Sequence, residues 1–276
     1  MDAREHLRNG DIGAALLALQ SQVRSEPANA KLRVFLFQLL CVNGEWDRAL
    51  TQLNVSGDMD AGTLGMVQVY REALRNEALR REIFAGRKTP LIFGDPQQWV
   101  ALLLEALKLT AAGETKKAQA LRAQAFEEAP ASNGKINGAP FEWVADADTR
   151  LGPMLEAVVN AKYYWIPLNH IAHVKIEKPE DLRDLVWMPA QFTWINGGQA
   201  VGLIPTRYPG SETHSDPNVR LARRTEWQDL GHDTYVGLGQ RMFTTDADDY
   251  PLMEVREIGF ADGEGDGGSA PAVGNA

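Results

Sequence analysis

Three stretches of the chain share one pattern: Gly10-Asp11 with Ala15 and Pro27, Gly44-Glu45 with Ala49, and Gly113-Glu114 with Ala118 and Pro130. Glycine permits the tight turn between two antiparallel helices. The alanine five residues later lets the two helix backbones approach closely, and proline ends the second helix. Gly10 and Gly44 lie 34 residues apart, the period of a tetratricopeptide unit, and Gly44 to Gly113 is 69 residues, about two periods. A hairpin of this kind cannot bury its apolar face alone, so units stack and leave a concave surface suited to a peptide or helix from another protein. The competing reading is an ordinary helical bundle with coincidental glycine spacing.

Apolar periodicity fills in the helices. Ile12, Ala15, Leu16, Leu19 and Val23 repeat at about 3.6 residues over 11–26, with Asp11 placed to cap. A more buried helix is predicted over 29–43, a third over 45–54, and a long one over 60–85, which Gly86-Arg87-Lys88-Thr89-Pro90 ends. A short extended piece at 91–94 precedes helices over 96–109 and 116–128. After Pro130 the composition shifts to tryptophan, proline and β-branched residues. Strands are predicted at 141–145, 173–176, 186–193, 200–204, 235–244 and 252–260, and short helices at 151–160 and 179–185. The expected fold is multi-domain α+β: an N-terminal TPR-like α-α superhelix over 1–130, a smaller strand-rich α+β domain over 131–260, and a disordered glycine-rich tail over 261–276.

Composition limits the function classes. The formal net charge is −9, which disfavours nonspecific binding to nucleic acid or anionic membrane. No run of about 18 apolar residues offers a membrane span. The first residues lack a basic start followed by an apolar core, so no secretory signal is expected and the expected compartment is the cytoplasm. The lone cysteine, Cys41, excludes an intramolecular disulfide and reads as a buried structural thiol.

Catalytic and ligand motifs are sparse. Asp146-x-Asp148-x-Arg150 opens like a calcium loop, but Leu151 and Ala157 stand where the EF-hand needs glycine and glutamate. A polar turn that caps the next element is the plain reading, and a hydrolase carboxylate pair is the functional one. His170-x-x-His173 has a zinc-like spacing without further ligands, so no metal and no cofactor are expected. Gly197-Gly198 reads as a hairpin turn, since neither a P-loop nor a dinucleotide fingerprint is present. Arg207, Arg220, Arg223, Arg224 and Arg241 read as structural ion pairs before an anion site. Of seven tryptophans, Trp143, Trp165, Trp187, Trp194 and Trp227 fall in the second half, chiefly as core.

Several blocks, in order, carry a family likeness. Phe37-Gln38-Leu39-Leu40-Cys41 is followed by Gly44-Glu45-Trp46-Asp47-Arg48-Ala49-Leu50-x-Gln52-Leu53. Then come Phe141-Glu142-Trp143-x-Ala145-Asp146-Ala147-Asp148-x-Arg150-Leu151-Gly152-Pro153 and Asp181-Leu182-Arg183-Asp184-Leu185-Val186-Trp187-Met188-Pro189. Ile204-Pro205-Thr206-Arg207-Tyr208-Pro209-Gly210 and Gly237-Leu238-Gly239-Gln240-Arg241 complete the set. Over roughly residues 10–260 the chain resembles the ImpE/TagJ family of bacterial type VI secretion accessory proteins. The resemblance implies a TPR-type helical domain joined to an α+β domain and a non-enzymatic role. It implies binding to the N-terminal helix of the small contractile-sheath subunit, with an influence on sheath recycling by the AAA+ unfoldase.

An adaptor of that kind needs a groove for an amphipathic helix. Trp46, Leu50, Leu53, Trp99 and Leu103 are the groove candidates, chosen as apolar residues on helices near the Gly44 turn; core packing is the competing role of each. The alternative is a metal- or carboxylate-dependent hydrolase using Asp146 and Asp148 with His170 or His173. A scaffold that only dimerises is a third possibility.

Overall fold

The computed structural model describes residues 2–95 and 97–261. Its first half is helical: α1 (Ala3–Arg8), α2 (Ile12–Ser25), α3 (Ala30–Val42), α4 (Trp46–Met59), α5 (Leu64–Phe84), α6 (Gln98–Ala111) and α7 (Thr115–Glu128). The three pattern glycines stand where consecutive helices turn, Gly10 between α1 and α2, Gly44 between α3 and α4, and Gly113 between α6 and α7. Each is left-handed, with φ of +79°, +73° and +79°. In each, the next residue's N–H reaches back to a carbonyl of the last helical turn: Asp11 to His6 at 2.9 Å, Glu45 to Leu40 at 2.9 Å and Glu114 to Leu109 at 2.8 Å. This Schellman closure satisfies carbonyls that a helix end leaves orphaned. Gly86 ends α5 in the same way, with φ +72° and Arg87 N–H donating to Glu82. Ala15, Ala49 and Ala118 are fully buried between helices, and Asp11 caps α2 through Ala14 N–H at 2.9 Å. Glu45 and Glu114 make no side-chain cap.

The second half is mostly strand. Leu91–Ile92 forms β1, and after α7 come β2 (Gly134–Ile136), β3 (Ala139–Phe141), β4 (Val144–Asp146), β5 (Met154–Val159), β6 (Lys162–Pro167), β7 (Ile171–Ile176), β8 (Trp187–Trp194) and β9 (Gln199–Pro205). A short helix α8 (Pro217–Arg220) precedes β10 (Thr225–Asp229), β11 (Tyr235–Gly239), β12 (Met242–Thr245), β13 (Asp249–Pro251) and β14 (Glu257–Phe260). One nine-stranded sheet runs β1-β6-β5-β9-β8-β7-β14-β2-β3; β10-β11 and β13-β12-β4 form two small sheets. The helical half supplies β1 as a parallel edge strand on β6. The architecture is thus α+β in two parts. Among the described residues no helix is long and apolar enough to cross a membrane.

Four local expectations change. Residues 151–160 are not a helix: they contain β5, buried at every position, which turns through Asn160 and Ala161 into β6. A strand buried on both faces loses polar alternation, so periodicity cannot separate it from a buried helix. The span 235–244 breaks at Gly239 (φ +91°) into β11 and β12, which belong to different sheets. The span 252–260 begins as a 3₁₀ turn, Leu252–Glu254, before β14, and 179–185 shortens to the 3₁₀ turn Leu182–Leu185. The tail expectation falls, Ala261 apart, outside the described residues. Gly197-Gly198 does turn β8 into β9.

Two hydrophobic clusters flank the large sheet. One joins the helices to it through residues such as Phe37, Tyr70, Phe84, Trp165, Trp187 and Leu203. The other lies on the opposite face and includes Leu155, Val159, Val174, Phe192, Ile204 and Phe243. The segment 205–224 crosses over the helices, so a Cβ on Gly44 would lie 2.9 Å from Glu212 Cβ, whereas one on Gly113 would meet open space. Gly113→Ala is expected to cost about 1 kcal/mol from the left-handed backbone alone, and Gly44→Ala at least about 2 kcal/mol. Urea unfolding of both variants checks the order; equal losses would refute the close approach.

Candidate docking surface

Polar residues buried between the two halves decide which surfaces remain for function. Glu156 on β5 is fully buried. It accepts from Arg80 of α5, with Nε at 3.0–3.1 Å and Nη2 at 2.9 Å, and from Arg241 Nη2 at 2.8 Å. Arg241 also bonds Asp146 and donates to the Pro205 carbonyl at 2.9 Å. Asp146 accepts from Tyr208 Oη at 2.8 Å and from Asp148 N–H at 2.9 Å. Asp148 in turn holds Arg150 (Nε, 2.9 Å) and Gly237 N–H (2.9 Å). Burial alone would raise the Glu156 carboxyl, but Arg80 and Arg241 outweigh it and hold the group below the usual range. Asp146 has one guanidinium instead of two. Burial prevails there and pushes it up to about 6 against the pull of Arg241.

These contacts account for the Asp-x-Asp-x-Arg motif. Asp146 and Asp148 are sealed from solvent, their oxygens taken by Arg241, Tyr208, Arg150 and backbone N–H groups, so no substrate reaches the pair. His170 is used by Phe93 O (3.0 Å) and Gln97 (2.8 Å), while His173 stands on β7 beside Glu257 at 3.8 Å. Among the described residues no three His, Cys, Asp or Glu side chains converge on a metal position.

The arginines of 207–241 do not meet at one site. Arg207 donates to the carbonyls of Cys41 (3.3 Å) and Val42 (2.9 Å), and Arg223 to those of Leu7 (2.8 Å) and Arg8 (3.2 Å). They cap the C-terminal ends of α3 and α1, where the helix dipole favours cations. Arg220 bonds Asn43, and Arg224 pairs with Asp216 and Glu226.

The five groove candidates separate. Leu53, Trp99 and Leu103 are core residues, exposed by 0%, 4% and 1%, and cannot meet a partner while the protein is folded. Apolar character at helical spacing describes core and groove equally, which is why the sequence grouped them. Trp46 and Leu50 are half-buried, and Trp46 leans on Trp187 with ring centres 5.9 Å apart. Both line a depression of about 730 Å³ between α4 and α5, together with Leu74, Ala78 and the charged Arg48, Arg75 and Arg81.

A more apolar groove lies elsewhere. It encloses about 630 Å³ between α5 and the large sheet and is lined by Val69, Tyr70, Val158, Pro189, Val201 and Leu203. Val69 is 50% exposed and Val201 74%. None of these residues is among the groove candidates of the sequence, where Tyr70 counts only toward the helical spacing of 60–85. The available signal was an aliphatic out of phase, since Val69 falls off the Leu64, Val67, Tyr70 and Leu74 spacing of α5.

A family model described as ImpE protein matches residues 138–259. A curated relative from Pseudomonas aeruginosa, named type VI secretion system accessory component TagJ, is 55% identical over 260 residues, covering 94% of this chain and 91% of its own. The X-ray structure of protein VPA1032 from Vibrio parahaemolyticus matches with a TM-score of 0.83 and 23% identity, over 94% of this chain and 97% of that one. At that identity it speaks to the fold alone.

Glu156→Gln leaves Arg80 and Arg241 sharing a neutral partner and is expected to cost about 3–5 kcal/mol, against less than about 1 kcal/mol for Glu72→Gln at the exposed Arg75 pair. Denaturant melts separate the two, and similar losses would contradict the burial argument. For Asp146, the native carboxyl keeps its proton to higher pH than the unfolded one, so its contribution to stability is present at low pH and lost as pH rises to about 6. The stability of the wild type relative to Asp146→Asn should therefore fall, by on the order of 2 kcal/mol between about pH 4 and about pH 6.5. A flat or rising difference would show that Asp146 is not proton-holding.

Proposed function

The chain belongs to the ImpE/TagJ family, and from that premise we propose that it serves a type VI secretion system as an accessory component that works by binding. The partner in this reading is the small subunit of the contractile sheath, held through its N-terminal helix. The effect on the AAA+ unfoldase that recycles the sheath would then be indirect, through access to that helix, and the site of action would be the cytoplasm. Residues 1–130 are read as tetratricopeptide-like hairpins and 131–260 as a strand-rich partner domain. The left-handed glycine turns with buried alanines beside them support the first half of that reading.

One observation carries the binding proposal: the groove between α5 and the sheet leaves Val69 and Val201 open to solvent at its mouth. An amphipathic helix covers such aliphatics in the helix-in-groove mode. The sealing of Asp146 and Asp148 favours this reading over a carboxylate-dependent hydrolase. The depression at Trp46 and Leu50 is the second place to look, but guanidinium groups rim it.

Calorimetry with a peptide of the sheath subunit's first ~20 residues, long enough for a helix of ~30 Å, tests the proposal. Saturable binding with a Kd in the micromolar range, roughly −8 kcal/mol, is expected, and Val201→Asp should abolish it. No heat and no pull-down with the wild-type protein would remove the sheath assignment.

A further inference from the structure

The hairpin of β10 and β11 has one closed edge and one open edge. In an antiparallel ladder, alternate pairs exchange hydrogen bonds and the residues between them turn N–H and C=O outward. Leu230 N–H donates to Thr234 O at 2.9 Å and Gln240 N–H to Arg224 O at 3.1 Å, so the bonded pairs between them are Glu226 with Leu238 and Gln228 with Val236. On β11 the outward groups are all engaged. Tyr235 exchanges bonds with Thr149 at 3.0–3.1 Å, Gly237 N–H donates to Asp148 at 2.9 Å, and Gly239 N–H donates to Ser211 Oγ at 2.7 Å. On β10 the outward backbone groups belong to Thr225, Trp227 and Asp229, and they meet no partner among the described residues.

The open edge is held in place from behind. Arg122 of α7, itself buried, donates to Asp233 O at 2.9 Å and to Thr234 Oγ1 at 2.8 Å in the hairpin turn. Trp227 rests on Tyr208 with ring centres 5.7 Å apart, yet is 43% exposed. The other sheet edges are blunted. β1 has two residues, β3 and β13 contain Pro140 and Pro251, and Gly152 bridges Asp146 on the side of β4 away from β12. Shortness, proline and cover all hinder pairing between sheet edges. β10 has five residues and no proline.

Its charges select the occupant. We propose that β10 pairs with β10 of a second copy of this chain, antiparallel about a two-fold axis at Trp227, to give one four-stranded sheet across two protomers. In this register Trp227 faces the partner's Trp227, Thr225 faces the partner's Asp229, and Glu226 faces the partner's Gln228. No two carboxylates stand directly opposite, and the three outward residues of each strand exchange about six backbone hydrogen bonds. The Glu226 carboxylate is already matched by Arg224 at 2.9 Å and lies 3.4 Å from His214. A slip of two residues one way sets Glu226 against its own copy. The opposite slip puts Thr225 against the turn glycine, Gly231, and loses its pair. β10 contributes no residue to the groove beside α5, so dimerisation and helix binding are separable.

Sedimentation of the full-length protein tests the pairing. A five-residue edge makes a small interface, so dimers are expected at about 100 µM and monomers at about 1 µM. Trp227→Lys puts two cations at the axis and should weaken the dimer at least about 30-fold. Gln228→Glu touches only the exposed edge, and by facing the partner's Glu226 it should weaken the dimer about threefold at low salt and less at high salt. Circular dichroism confirms that both variants fold. Register is read by mild oxidation. Paired Cα atoms stand about 5.5 Å apart, within disulfide reach. The double variant Thr225→Cys, Asp229→Cys should therefore link two chains, and neither single variant should. A wild type that stays monomeric at about 200 µM overturns the proposal, as does a dimer that Trp227→Lys and Gln228→Glu leave intact. A dimer that these variants weaken but the double cysteine variant cannot link overturns the register.

Discussion

Glu156 is fully buried between two guanidiniums that come from opposite halves of the molecule. Arg80 reaches it from α5 and Arg241 from the link between β11 and β12. Desolvating a carboxylate is costly, and only close, well-aligned partners offset it. The contacts are directional where apolar packing is not. They continue beyond Glu156: Arg80 Nη2 also donates to the Arg207 carbonyl at 2.8 Å, and the Arg207 side chain grips the end of α3. On the other side Arg241 bonds Asp146, which holds Tyr208. One connected set of bonds thus fixes α3, α5, β5 and the 205–208 segment relative to each other. The sheet cannot slide under the helices without stranding a charge.

The same segment explains why the Gly44 turn tolerates nothing larger. After Arg207 it passes over the helix ends, with Glu212 pressed against Gly44, while Pro217 would stand at ordinary contact distance, 3.5 Å, from a Cβ on Gly10. Arg223 then caps α1. A glycine chosen for its left-handed backbone also supplies the space a crossing strap needs. Gly113 has the backbone requirement without the strap.

How much the sequence disclosed follows from how local each signal is. A glycine-terminated helix is encoded within six residues, so the turns at Gly10, Gly44, Gly86 and Gly113 were legible. The Asp146–Arg150 motif was legible as a polar turn, but Arg241, 95 residues from Asp146 along the chain, was not visible as its partner, nor Glu156 as the second carboxylate on Arg241. β5 was misread because both of its faces are buried. The groove candidates mixed core with surface because hydrophobicity says what is apolar, not what is covered. Blocks that carried the family likeness supply Asp146, Asp148, Arg150, Arg207, Tyr208 and Arg241, so much of that likeness resides in the buried lattice. The likeness thus reported the fold more directly than the docking face.

The composition of the near face of β8 and β9 bears on what covers it. A permanently covered strand reads as continuous apolar sequence, as β5 does. A permanently wet face alternates cleanly, with polar side chains outward. β9 does neither: its outward positions run Gln199, Val201, Leu203, from polar to apolar toward α5, and β8 adds Gln191 and Thr193. Interfaces that form and part have this mixed character, because each partner must also be stable in water alone. An exposed valine on a central strand costs little while the face is open, and covering it brings a modest gain when a helix arrives.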